Sequence, residues 1–297
     1  MGVARFGKVV TAMVTPFHDD GSLDVGGAAE LARRLVADGN DGLVLAGTTG
    51  EAPTLDDDEK VELWRAVRAA VDVPLVAGTG SNDTRHSVHL TERASATGVD
   101  GVLAVTPYYN RPSAAGIDAH FRAVAAATDL PVMLYDIPVR SQRKIPTDML
   151  VRLATEVPNI AALKDASGNP GETARVVAGA PDDFDVYSGD DVQTLPLLAV
   201  GAVGVVGVAT HWVAGTMAEM VAAVDKGDLA LARQLNARML PSFGFETGDA
   251  CPNPGPAKAM LAHLGVPGGG CRLPMGPIPD EVRAAAREIA ATLGLGG

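Results

Sequence analysis

Three observations predict a (β/α)8 TIM barrel with a C-terminal three-helix extension. The chain has 297 residues, which suits one α/β barrel of about 250 residues with an appendage. From Lys8 to about Val208, short apolar runs alternate with longer amphipathic ones, the pattern of repeated βα units. Beyond Asp225 the strand signals cease and only helical patterns remain. The barrel is therefore expected over residues 1–225 and the helical extension over 226–297.

Eight strands are expected in order: Val9 to Val14, Gly42 to Ala46, Pro74 to Gly78, Gly101 to Val105, Pro131 to Tyr135, Ile160 to Lys164, Phe184 to Ser188 and Val203 to Val208. Several are nearly continuous in Val, Leu, Ile and Ala, as parallel strands buried on both faces require. Helical patterns between them include Val25 to Asp38, Asp56 to Ala70, Asp83 to Thr97, Ala114 to Ala127 and Asp191 to Val200. The acids Asp56, Asp57, Asp58 and Glu59 fall in a first helical turn, where they complement the macrodipole, and so mark a helix start rather than a metal site. Asp228 to Leu240, Pro256 to Leu264 and Pro279 to Leu293 supply the three helices of the extension. A doubly wound sheet fits less well, because it commonly has fewer strands and carries a nucleotide fingerprint.

Hydrophobic residues make up 47% and charged residues 20%, so a large core is possible and little of the chain is expected to be disordered. The formal net charge of -12, with scattered Lys and Arg, lacks the footprint of a nucleic-acid binder. Cys251 and Cys271 do not form a close C-x-x-C pair, which argues against a disulfide framework or structural zinc. The apolar stretch Val9 to Val14 is too short for a signal peptide or a membrane span. Reduced thiols and the lack of a targeting signal favour the cytoplasm.

Lys164 ends the apolar run Ile160-Ala161-Ala162-Leu163, where an interior strand ordinarily supplies another aliphatic side chain. Burial disfavours its ammonium form, and a neutral amine beside a pocket is what carbonyl attack and Schiff-base formation require. The structural alternative is a strand-end lysine paired with Asp165. A barrel builds its active site at the C-terminal strand ends, so these are the places to look for partners. The second strand ends in Gly47-Thr48-Thr49-Gly50-Glu51, whose hydroxyls and free N–H groups suit a carboxylate or phosphate. The fourth runs into Thr106-Pro107-Tyr108-Tyr109-Asn110-Arg111-Pro112 and the fifth into Tyr135-Asp136-Ile137-Pro138-Val139-Arg140. Three of the chain's four tyrosines lie at these two ends, which general packing does not explain. A phenol can relay protons and an arginine can hold a second carboxylate. Asp190 after the seventh strand reads as a helix cap, and the glycines of the eighth as close approach or turns. His86 and His89 share a helical face without a third ligand.

Taken in order, the Gly47–Glu51, Pro107–Pro112, Tyr135–Pro138, Leu163–Asp165 and Ser188–Asp191 segments resemble those of the 4-hydroxy-tetrahydrodipicolinate synthases. These belong to the pyruvate-dependent class I aldolase superfamily that includes N-acetylneuraminate lyase. The likeness runs from about Val9 to Pro279 and takes in Pro252-Asn253-Pro254 and Arg272-Leu273-Pro274-Met275. The resemblance implies a cytoplasmic homotetramer, a dimer of dimers, that condenses pyruvate with L-aspartate 4-semialdehyde in lysine and diaminopimelate biosynthesis. By the same resemblance Lys164 forms the Schiff base, Tyr135 shuttles protons, and Thr48 and Tyr109 complete the relay, Tyr109 by way of a subunit interface. Thr48 and Thr49 would hold the pyruvate carboxylate, Arg140 the second carboxylate, and Gly189 and Val206 would line the substrate site. No metal or organic cofactor is implied, because the lysine imine is itself the electron sink.

Arg140 separates this branch from the sugar-acid aldolases, which are the enzymatic alternative. A keto-acid-binding sensor without catalysis is the alternative of another class, and the joint presence of Lys164, Tyr135 and Tyr109 argues against it. Two departures bear on substrate preference: Gln142 stands where many synthases have a small residue, and Gly207 replaces a common serine. Asn82, Tyr108 and Glu51 match the lysine-feedback pattern, but Asp57, Lys60 and His86 replace residues typical of sensitive enzymes, so weak or absent feedback is expected.

Overall fold

A computed structural model describes residues 4–248 and 251–295; residues 1–3 of the expected barrel, and 249–250 and 296–297 of the expected extension, lie outside them. The strands β1 (Val9–Ala12), β2 (Gly42–Leu45), β3 (Leu75–Gly78), β4 (Gly101–Val105), β5 (Val132–Asp136), β6 (Ile160–Asp165), β7 (Asp185–Ser188) and β8 (Gly204–Gly207) close in sequence order into a parallel barrel. Closure leaves no strand edge unpaired. Side chains alternate between faces. Val10, Val44, Val76, Met133, Ala162 and Val206 fill the interior, while the outward set packs against a helical ring that includes the fully buried Trp64.

The ring consists of α1 (Val25–Ala37), α2 (Asp57–Ala70), α3 (Thr84–Ser95), α4 (Ala114–Ala126), the short α5 (Pro138–Ser141), α6 (Thr147–Glu156), α7 (Pro170–Gly179), α8 (Thr194–Ala199) and α9 (Thr210–Asp225). Side-chain caps start many of them: Asp24 accepts from Gly27 N–H, and Asp56 and Glu59 form a reciprocal capping box at α2. The acidic run at residues 56–59 is thus the helix start that the sequence suggests. The segment from Asp191 to Val200 is a 3-10 turn (Asp191–Gln193) followed by α8, not one helix, because Asp190 caps the turn through Val192 N–H.

The extension is α10 (Leu229–Glu246), α11 (Gly255–His263) and α12 (Asp280–Leu293). The helix expected to end at Leu240 instead continues through Pro241 to Glu246. Proline removes one helical donor and disfavours this path, but tertiary packing overrides it. Trp212 Nε1 donates to Ser242 Oγ at 2.8 Å, and Ser242 and Phe243 are buried. A second tie joins α11 to the β2 loop, where Lys258 pairs with Glu51 at 2.7 Å with both side chains fully buried. Arg272 adds to it, donating its N–H to Glu51 at 2.9 Å and reaching the carbonyls of Gly21 and Thr54. The extension therefore braces the loop that carries Thr48 and Thr49.

Candidate active site

Register decides which strand-end residues meet. On β5, β6 and β7, Tyr135 pairs with Lys164 and Lys164 with Tyr187, while Asp136 pairs with Asp165 and Asp165 with Ser188. Because faces alternate, Tyr135 and Lys164 point together into the barrel mouth and the two aspartates point away. Asp165 accepts from Ser167 N–H at 2.8 Å and Thr173 Oγ1 at 2.6 Å. It is committed to the loop before α7 and to the Thr173 hydroxyl, and it does not pair with Lys164. The strand-end ion-pair reading of Lys164 is thereby removed.

Lys164 is 5% exposed, and its Nζ lies 4.4 Å from the centroid of the Tyr135 ring. Burial pushes its pKa down to about 8; the carboxylate of Asp191 opposes this and the Arg140 guanidinium reinforces it. Burial pushes the Tyr135 phenol up to about 12, with Arg140 and a hydrogen bond to Thr48 acting the other way. Gly189 is required here by space. A Cβ at this position would lie 2.8 Å from Lys164 Cγ and 3.1 Å from Cε, so any side chain would displace the amine.

In the β2 loop, Thr49 is buried and its Oγ1 accepts from Asn253 Nδ2 at 2.9 Å. The turn closes through Glu51 N–H to Thr48 O and Ala52 N–H to Gly47 O, each at 3.1 Å. No hydrogen bond from the N–H of Thr48 or Thr49 is found among the described residues, which leaves two adjacent donors for an anion.

Thr48, Thr49, Tyr135, Arg140, Lys164 and Gly189 line one cavity of about 160 Å³. A second chamber of about 200 Å³, more apolar and bordered by Leu103, Val105 and Tyr108, shares Thr48, Tyr135, Ile137 and Arg140 with it. Two residues of the sequence-derived set lie elsewhere. Tyr109 is 87% exposed with a left-handed φ of 71° and points away from both chambers' linings. Val206 packs within the barrel interior beneath the site, and Val208 lines the cavity instead. Asp190 both caps its turn and lines the Lys164 cavity. His86 Nε2 is 2.9 Å from Asp57 Oδ1.

Glu246 was not singled out from the sequence, yet it lines the same cavity as Lys164. Its only sequence signal is a lone carboxylate after the apolar Phe243-Gly244-Phe245, hidden once a helix is taken to stop at Pro241. The assembled groups comprise a buried amine whose pKa is lowered toward neutrality, a phenol against it, main-chain and hydroxyl donors for one carboxylate, and a guanidinium for another. Such a set can bind a 2-keto acid and convert its carbonyl into an imine.

The model of the Dihydrodipicolinate synthetase family matches residues 5–293. The 4-hydroxy-tetrahydrodipicolinate synthase of Acidothermus cellulolyticus is 51% identical over 98% of this chain and 94% of its own length. That of Moorella thermoacetica is 47% identical over 97% and 98%. Among solved structures, the synthase from Cyanidioschyzon merolae with lysine bound superposes with a TM-score of 0.96 at 42% identity, covering 98% of this chain and 99% of that one. A dihydrodipicolinate synthase from Bacillus anthracis gives 0.93 at 43% identity, with 96% and 98% covered.

Proposed function

The chain belongs to the dihydrodipicolinate synthetase family and is a lyase of lysine and diaminopimelate biosynthesis, and from that premise we propose that it condenses pyruvate with L-aspartate 4-semialdehyde through a Schiff base on Lys164. The observation that carries the residue assignment is the buried Lys164 amine over the Tyr135 ring, in one cavity with Thr48, Thr49 and Arg140.

The neutral Lys164 amine attacks the keto carbon of pyruvate, whose carboxylate rests on the N–H and hydroxyl groups of Thr48 and Thr49. Tyr135 passes a proton to the developing alkoxide and, with Thr48, carries protons as the carbinolamine loses water to give the imine. Loss of a methyl proton forms the enamine, which attacks the aldehyde of the semialdehyde while Arg140 holds that substrate's carboxylate. The substrate's amine then attacks the imine carbon, closing the ring and expelling Lys164 as the free amine. Gly189 keeps space for the lysine, and Val206 supports the pocket from below.

We assign Tyr109 to the same relay, acting across a subunit boundary: its exposure and left-handed backbone hold an aromatic ring away from its own barrel. This reading requires at least a dimer, and the assembly we propose is a homotetramer built as a dimer of dimers. Catalysis is assigned to residues 1–225, and the bracing of the site to the extension, residues 226–297. Among the described residues no helix is long and apolar enough to cross a membrane. We assign the chain to the cytoplasm, where the free thiols Cys251 and Cys271 stay reduced.

Turnover on a panel of second substrates tests the assignment. With pyruvate, L-aspartate 4-semialdehyde is consumed, while acylneuraminates and keto-deoxy sugar acids are not cleaved. Preferential cleavage of a sugar acid would overturn the reading.

A further inference from the structure

Two carboxyl groups stand beside Lys164 with no cation of their own. Asp191 opens the turn after β7 and Glu246 closes α10; they are 2% and 4% exposed, and both line the Lys164 cavity. Asp191 Oδ2 accepts from Val208 N–H at 2.7 Å. Asp191 Oδ1 and Glu246 Oε2 find no conventional donor among the described residues, and the two side chains meet each other. Neither carboxyl takes part in a salt bridge among the described residues.

Two carboxylates in contact and out of water cannot both be ionised. One proton between them removes the repulsion and pairs both orphaned oxygens, since a protonated carboxyl donates where an ionised one can only accept. Glu246 is the donor. Asp191 already accepts from the main-chain N–H of Val208, which favours its ionised form, and burial raises both groups. Gly207 makes the approach possible, because a Cβ there would lie 2.5 Å from Asp191 Oδ1. The glycine that replaces a common serine is thus matched to this pair.

We propose that Asp191 and Glu246 share a single proton and hold one negative charge beside Lys164, so that Glu246 is a positioning residue through which the C-terminal extension sets the protonation of the lysine. The inference rests on the Schiff-base reading of Lys164. The other groups facing this region are Tyr135 and Arg140 from the β5 end, Asp190 next to Asp191, and His211 at the head of α9. Tyr135, pushed up to about 12, and His211, pushed down to about 4 by burial, stay uncharged near neutrality. The His211 nitrogens are already engaged with Val14 N–H at 3.1 Å and Val208 O at 2.7 Å. Asp190, also raised by burial, has its own backbone donor in Val192 N–H.

The test is the pH dependence of borohydride trapping with pyruvate, read by intact mass, for wild type, Glu246→Gln, Glu246→Leu and Asp191→Asn. In Glu246→Leu, Asp191 loses its donor and takes up the proton; in Asp191→Asn the charge on Asp191 is absent, and Glu246, without the Val208 N–H that holds the charge on Asp191, stays neutral. Both shift the acid limb of trapping to lower pH by about one unit, the low end of what a nearby opposite charge produces. Glu246→Gln keeps a donor to Asp191 and restores the wild-type limb. Difference infrared spectra supply a readout that does not depend on catalysis: the C=O stretch of a neutral carboxylic acid, present in wild type at neutral pH, disappears in Glu246→Gln. An unshifted limb in Asp191→Asn, or a carboxylic-acid band unchanged in Glu246→Gln, overturns the shared proton while leaving the lysine chemistry standing. Absence of any adduct in wild type overturns the Schiff-base reading and this role together.

Discussion

Replacing Lys164 by methionine should abolish turnover and stabilise the fold. The lysine is 5% exposed, and its pKa falls from 10.5 to about 8, chiefly through burial. At about 1.4 kcal/mol per pKa unit, the charged lysine costs the folded state about 3 kcal/mol. The sign follows from the direction of the shift. Because the folded value lies below the unfolded one, the cost is complete below about 8 and disappears as pH rises past 10.5. Methionine is unbranched, of similar length and adaptable in packing, so it fills the space without the charge. Part of the gain is offset, because Asp191 loses an attractive neighbour. For a chain of this size, roughly 2 °C per kcal/mol gives an apparent Tm rise of about 5 °C near pH 7. Differential scanning calorimetry at matched protein concentration and scan rate, near pH 7 and again above pH 10, reads both the size and the pH dependence. A variant no more stable than wild type near neutrality, or a gain that persists unchanged above pH 10, would refute the claim that Lys164 is held charged against its surroundings.

Three further outcomes follow from the same geometry. Gly189→Ala places a methyl 2.8 Å from Lys164 Cγ, and a displaced nucleophile should lower kcat by about 10- to 100-fold with an unchanged circular dichroism spectrum; steady-state kinetics with wild-type values would contradict it. Arg140→Ala should raise KM for the semialdehyde by about 10-fold or more through loss of a charge-assisted contact. It should leave pyruvate trapping intact, with its acid limb moved to higher pH because the guanidinium lowers the Lys164 pKa. L-lysine at low concentrations should lower initial rates weakly or not at all, because buried Lys60 lies 3.7 Å from Asp57, which His86 also engages, in place of the residues expected in sensitive enzymes. Strong inhibition at low lysine concentrations would refute this.

The barrel was legible because several strands are short, nearly continuous apolar runs and many of the following helices carry their own start signal, as with Asp56 and Glu59. Lys164 was legible for a related reason: a charge at the end of such a run violates the pattern, whereas the register that sets Tyr135 on the same face came only with the structure. Contacts between distant segments left no such trace. Asn253 reaches Thr49 across 204 residues, and the Lys258–Glu51 pair joins α11 to the β2 loop. Nothing in either local sequence marks the other. Glu246 was obscured by a local rule that tertiary packing overrode, since Pro241 signals a helix end but Trp212 and Phe243 carry the helix past it. Tyr109 shows a further limit: the residue type was read from its motif, whereas its outward direction depends on a left-handed backbone that a non-glycine residue seldom adopts.

The most direct test of the central claim is covalent. The protein is incubated with pyruvate, reduced with borohydride, digested and mapped by mass spectrometry. The account predicts one adduct per chain, with the mass of pyruvate less water plus two hydrogens, on Lys164, and none in Lys164→Met. An adduct on another lysine, or turnover of pyruvate and semialdehyde with no trappable adduct, would contradict it.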